Sequence, residues 1–122
     1  MKLYYDPIST ACRPVLLFAA EHDLDLELEV IQLMNGEHLA ETYAAVNPNQ
    51  ILPFLTDGDF GMGEVSAMLK YMADKVGSPA YPKALQPRAR VNEWMDWFNT
   101  QFHRDFCSFL VRANMMTKST PA

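Results

Sequence analysis

The sequence predicts an α/β fold, a four-stranded mixed sheet with helices on both sides, followed by one long helix. Three observations predict it. Strand, helix and strand signals follow one another between Leu3 and Ile31, Asn47 to Phe60 reads as a turn, a buried strand, a tight turn and a second strand, and from Gln86 onward apolar residues recur at helical spacing.

Leu3-Tyr4-Tyr5 is a short strand ended by Asp6-Pro7, and Ser9 or Thr10 is the expected N-cap of a helix from about Ala11 to His22. Val15, Leu17, Phe18 and Ala19 make that helix apolar over most of its girth, so it should lie against a sheet. Leu26 to Ile31 alternates and reads as a strand with one wet face. Strand, helix, strand is a βαβ unit with a right-handed crossover. Asn35-Gly36 is a turn, and Glu37 to Ala45 a short helix.

Leu52, Phe54 and Leu55 supply the apolar part of the central strand, and Asp57-Gly58 is a two-residue hairpin signal. Pro53 has no N–H for a ladder, so it belongs at the first residue of a strand, on an edge or after a cis bond. A cis bond would turn the Leu52 backbone outward, with its N–H and C=O available to an extended peptide-like ligand. Glu64 to Val76 is helical, with Met68, Leu69, Met72 and Val76 on one face. βαβ, helix, ββα is the thioredoxin-like arrangement.

Gly77-Ser78-Pro79-Ala80-Tyr81-Pro82 is the one good candidate linker. The expected organisation is an α/β domain over 1–77, a linker over 78–85, and over 86–122 the start of an incomplete all-α domain. From Gln86 to about Met115 a single long helix is expected, with Val91, Trp94, Met95, Phe98, Phe102, Phe106 and Leu110 forming its stripe. That stripe is too wide and too aromatic for a lone exposed helix, so part of it should pack on the first domain and the rest on partner helices. Thr117 to Ala122 is polar and should fray.

The 122 residues are 49% hydrophobic with a net charge of -5, enough apolar content for a real core. No Lys/Arg cluster offers a footprint for nucleic acid or anionic lipid, and the longest apolar run, Val15 to Ala20, is far too short to cross a bilayer. A soluble, cytoplasmic protein is expected. Cys12 and Cys107 lack CxxC spacing and suit a reducing compartment. His22, His38 and His103 lie on separate elements without ligand spacing, so no metal site is expected.

Ser9-Thr10-Ala11-Cys12 stands at the first turn after strand one, where thioredoxin-like proteins carry Cys-x-x-Cys. A helix N-terminus stabilises a nearby anion, and a ligand thiol placed there would ionise more easily while the Ser9 hydroxyl donates to its sulfur. Alternatively, Ser9 only caps the helix. Cys12 is either a low-pKa nucleophile of glutaredoxin type or a buried structural thiol. At Glu64-Val65-Ser66, backbone N–H groups and the Ser66 hydroxyl can hold a carboxylate while Glu64 holds an ammonium; a first-turn acid favoured by the macrodipole is the plainer reading.

With Ser9 to Arg13, Asn47 to Pro53, Asp57 to Phe60 and Glu64 to Tyr71 in view, the chain resembles the glutathione S-transferases, most of all the theta class and its bacterial relatives, from Met1 to about Cys107. The resemblance implies a glutathione-binding thioredoxin-like domain followed by a helical domain that covers the electrophile. On it, Ser9 is the thiolate-stabilising serine, Leu52 the residue whose backbone pairs with the cysteinyl unit, Glu64 the acid that receives the γ-glutamyl ammonium, and His38 a histidine near the glycyl carboxylate. Two positions depart. Val65 replaces a serine after the acid and leaves only its N–H for the γ-glutamyl carboxylate, and Ile51 replaces a lysine near the glycyl carboxylate, so weaker glutathione binding is expected. His103 and Trp97 would be the remaining wall of an electrophile site whose other helices this sequence does not contain. Glutathione, a small electrophile and a second copy of the chain are the partners implied, with dehalogenation one open reaction. The alternative is a non-catalytic binding module on the same fold.

Overall fold

A computed structural model describes residues 1–106 and Phe109. The chain divides into two compact units, Met1–Ser78 and Pro79–Ala122.

The first unit contains β1 (Lys2–Tyr5), α1 (Arg13–Glu21), β2 (Glu27–Val30), a short α2 (Glu41–Ala44), β3 (Phe54–Asp57), β4 (Phe60–Met62) and α3 (Val65–Val76). The sheet order is β2-β1-β3-β4, with β1 parallel to β2 and antiparallel to β3, and β3 antiparallel to β4. Because successive strand residues point to opposite faces, Leu3 and Leu55, which oppose each other in the register, share one face, and Tyr4 and Phe54 share the other. The first face meets α1 and α3: Leu3, Val15, Ala19, Leu55, Met68 and Met72 form the core cluster. Fully burying a side chain of this kind stabilises by roughly 1.5–3 kcal/mol. On the second face the Tyr4 ring stands 5.9 Å from Tyr43 of α2, so helices cover both sides. This is the predicted four-stranded thioredoxin-like sheet.

Several details differ from what the sequence suggests. Helix α1 begins at Arg13 rather than Ala11, and its N-cap is Cys12, with no side-chain capping bond from Ser9 or Thr10. Pro14 lies in the first helical turn, where the N–H it lacks would have had no partner, and the residues before it close a turn in which the Cys12 N–H donates to the Ser9 carbonyl at 3.2 Å. A 3₁₀ turn, Leu33–Asn35, leads into the segment expected as one helix from Glu37 to Ala45, which is instead a second 3₁₀ turn, Glu37–Leu39, and the one-turn α2, because Ala40 is extended (φ −68°, ψ 145°). The hairpin turn is Gly58-Asp59, one residue later than Asp57-Gly58, since Asp57 pairs with Phe60. On the edge strand β2, Leu28 and Val30 remain about half exposed.

Two devices, one of backbone and one of side chains, fasten α3. At its C-terminus Gly77 is left-handed (φ 64°, ψ 34°), and the Ser78 N–H donates to Ala73 O (2.8 Å) while the Gly77 N–H donates to Asp74 O (3.3 Å), the paired bonds of a Schellman motif. Along its length, Tyr71 donates to Asp57 Oδ2 (2.6 Å), and the Lys75 ammonium pairs with the same oxygen, so the β3–β4 hairpin is tied to the helix.

The second unit holds α4 (Leu85–Trp97), a π-helical stretch Phe98–His103 and a last helical turn, α5 (Arg104–Phe106). The long helix expected from Gln86 thus changes its hydrogen-bond pattern at Phe98, where the Thr100 hydroxyl donates back to Asp96 O at 2.8 Å. Apart from Phe109, the predicted continuation to Met115, Leu110 included, and the expected fraying of Thr117 to Ala122 lie outside the described residues. Trp94, Trp97, Phe98, Phe102 and Phe106 form a run of rings in mutual contact, each about half exposed. No helix of the described residues is long and apolar enough to cross a membrane.

Candidate functional site

The strand pairings bring the loops that carry the candidate residues to one end of the sheet. β1 ends at Tyr5, and the Ser9 loop follows. Tyr4 opposes Phe54, so the start of β3, with Leu52-Pro53 before it, lies beside the end of β1. Leu55 opposes Met62, so the end of β4 and the Gly63-Glu64 step into α3 lie beside the start of β3. Tyr5 pairs with Val30, so the segment leading to His38 leaves β2 at this same end.

The Ser9 loop is shaped by the backbone: the Ser9 N–H donates to Asp6 O at 3.0 Å and the Ser9 carbonyl accepts from Cys12. Ser9 is half-buried, and no side-chain hydrogen bond caps α1, so its hydroxyl is not the cap that serine in this position suggested. The Leu52–Pro53 bond is cis, and the ladder with β1 begins only at Phe54, so the Leu52 peptide groups stand outside the sheet's own pairing.

Glu64 is exposed, with φ 63° and ψ 110°, and its carbonyl accepts the first bond of α3, from the Met68 N–H (3.0 Å). Such a conformation costs a non-glycine residue on the order of 1–3 kcal/mol. Val65 is the first helical residue, so its N–H has no acceptor within α3 itself, and a helix start of this kind stabilises a carboxylate. His38 lies in the second 3₁₀ turn, and its Nδ1 is buried without a partner among the described residues.

Three residues not foreseen from the sequence hold these loops. Asp6, 4% exposed, accepts the Ile8 N–H on Oδ1 (2.9 Å) and the Leu33 N–H on Oδ2 (2.7 Å). Asn47, 2% exposed, donates to Ile51 O (2.9 Å) and accepts the Asn49 N–H (3.1 Å). The Tyr43 hydroxyl donates to the same Ile51 carbonyl (2.7 Å), and burial pushes its ionisation up, keeping it a donor. Leu52 is therefore presented by a carbonyl gripped twice. An aspartate or asparagine beside a proline, as in Asp6-Pro7 and Asn47-Pro48, was the available signal.

Cys12 has no exposed surface, so the oxidoreductase reading lacks an accessible sulfur. Among the described residues, no group of three His, Cys, Asp or Glu side chains stands close enough to hold a metal ion.

The family model of the glutathione S-transferase N-terminal domain matches residues 3–80. The chain belongs to the glutathione S-transferase family. Human glutathione S-transferase theta-1 is 42% identical over 106 residues, which are 85% of this chain and 44% of that protein. Among solved structures, human glutathione transferase theta-2 in complex with glutathione and an unknown ligand superposes with a TM-score of 0.77 at 38% identity, covering 80% of this chain and 41% of that one. A human theta-class transferase in complex with the glutathione conjugate of 1-menaphthyl sulfate superposes with a TM-score of 0.76 at 38% identity, covering 85% and 41%. The chain spans less than half the length of these transferases.

Proposed function

We propose that this transferase-family chain binds glutathione at the sheet end described above and stabilises its thiolate for attack on a small electrophile. The observation that carries the reading is the convergence of Ser9, Leu52, Glu64 and His38 on one end of the sheet, with the Leu52 peptide outside the ladder. The Leu52 N–H and C=O pair with the cysteinyl backbone as an added strand. Glu64 receives the γ-glutamyl ammonium, the Val65 N–H at the start of α3 holds the γ-glutamyl carboxylate, and His38 faces the glycyl carboxylate. The Ser9 hydroxyl donates to the sulfur, which favours the thiolate without removing a proton itself.

Attack is then by sulfur on carbon, forming a C–S bond; with an alkyl halide the carbon–halogen bond breaks and halide leaves. Support comes from relatives solved with glutathione and with a glutathione conjugate. Val65 and Ile51 favour a second reading, a transferase-like module that binds partners without turnover, since each removes a group that would hold a glutathione carboxylate. The exposed ring run of the second unit supports association with a second copy. The setting we propose for this activity is the cytoplasm.

Calorimetric titration of the chain with glutathione, with Ser9→Ala and Glu64→Ala alongside, tests the assignment. Binding weakened by Glu64→Ala is the expected result; a folded protein that takes up no glutathione gives the second reading the lead.

A further inference from the structure

We propose that Asp6 is a positioning residue that couples the Ser9 loop to the His38 segment, so that one buried carboxylate sets the geometry at both the sulfur and the glycyl end of bound glutathione. The inference rests on the glutathione reading above.

Asp6 follows β1 and is one of the few polar residues buried in the first unit. One carboxylate oxygen and the backbone carbonyl take two successive amides of the Ser9 loop, Ile8 and Ser9, at 2.9 and 3.0 Å. The other carboxylate oxygen takes the amide of Leu33, 27 residues away in sequence, at 2.7 Å. Leu33 in turn is part of a closed loop: its carbonyl accepts the Gly36 N–H (3.0 Å), the Gln32 carbonyl accepts the Glu37 N–H (3.2 Å), and the Gln32 N–H donates to the Glu37 carboxylate (2.7 Å). His38 is the next residue. A shift of the Asp6 carboxylate therefore moves Ile8, the residue next to Ser9, on one side and the turn that leads to His38 on the other.

Bonds from backbone amides to a carboxylate are among the stronger ones, and a partly buried amide left unpaired is costly. An asparagine at this position keeps the shape but turns an N–H₂ toward one of the two loops, leaving the Ile8 or the Leu33 amide without an acceptor whichever way it flips.

The test is Asp6→Asn in the whole chain, read by the ultraviolet absorbance of the bound glutathione thiolate at neutral pH and by the glutathione Kd, with Ser9→Ala beside it. Asp6→Asn should lower the thiolate fraction and raise the glutathione Kd severalfold, because glutathione must then order the two loops that the carboxylate holds in the unmodified chain. Ser9→Ala should lower the thiolate fraction alone. A folded Asp6→Asn protein with wild-type thiolate and wild-type Kd overturns the proposal.

Amide hydrogen exchange on the unmodified chain is the second measurement and needs no variant to fold. Ile8, Ser9 and Leu33 should share one opening free energy; separate openings of Leu33 and Ile8 overturn the coupling. A wild-type chain that binds no glutathione overturns the reading beneath the proposal, and the role with it, whatever the amides do.

Discussion

At the scale of single residues, the candidate site is a set of backbone groups presented by a few buried side chains. Glu64 is the exposed charge among them, held at φ 63° by its place between β4 and α3. Glu64→Ala should weaken glutathione binding by about 1.5–3 kcal/mol, the usual range for a hydrogen bond to a charged group, measured by calorimetry. Val65→Ser should act in the opposite direction, since it returns a hydroxyl to the first turn of α3; a Kd unchanged or higher in that variant would remove the account given for Val65. Ser9, Leu52, Glu64 and His38 could be named as candidates from the sequence because each stands in a motif of recognisable order. Asp6, Asn47 and Tyr43 could not, because their work is to accept from or donate to loop backbone atoms, near in the chain for Tyr43 and Asn47, which meet at Ile51, and distant for Asp6, which also takes the Leu33 amide. Nothing in the local sequence shows which loop that will be.

At the scale of elements, the attachment of the β3–β4 hairpin to α3 has a definite pH signature. The bond from Lys75, and then that from Tyr71, hold the Asp57 carboxyl below its ordinary value of 3.8. A carboxyl lowered in the folded state contributes stability that is present above the unfolded value and lost as pH falls through the folded one. Acid unfolding followed by circular dichroism should therefore show a loss of stability below about pH 4 that is smaller in Asp57→Asn. The Lys75 ammonium is raised, chiefly by the same Asp57 bond, so its share is present below the ordinary lysine value and lost as alkali passes the raised one. At the other end of α3, Gly77→Ala places a Cβ at φ 64°, and urea unfolding should register about 1–2 kcal/mol of destabilisation. The helix around Met68 and Met72 was evident from spacing alone. The fragmentation of the Glu37–Ala45 segment was not, because the extended backbone at Ala40 comes from the connection to the neighbouring turn and not from alanine's own helix preference.

At the scale of the whole molecule, the two units differ in how their apolar residues are used. The first closes a core around Leu3, Leu55, Met68 and Met72, whereas in the second the rings from Trp94 to Phe106 touch one another and stay about half exposed. If the exposed rings meet those of a second copy, sedimentation should show a concentration-dependent dimer that the double change Trp97→Lys and Phe102→Lys shifts toward monomer; a wild-type chain that stays monomeric at high concentration would set that aside. By itself the sequence determined the order of strands and helices, the thioredoxin-like sheet and the family, because hydrophobic period, turn residues and motif order are local properties that survive being read along a line. The tertiary structure alone decided the start of α1 at Arg13, the one-residue shift of the hairpin turn, and the ties from Asp6 and Asn47 that present the site. Each of those depends on which backbone groups find partners in three dimensions, in tight turns for the α1 start, the hairpin and Asn47, and between distant loops for Asp6 and Leu33.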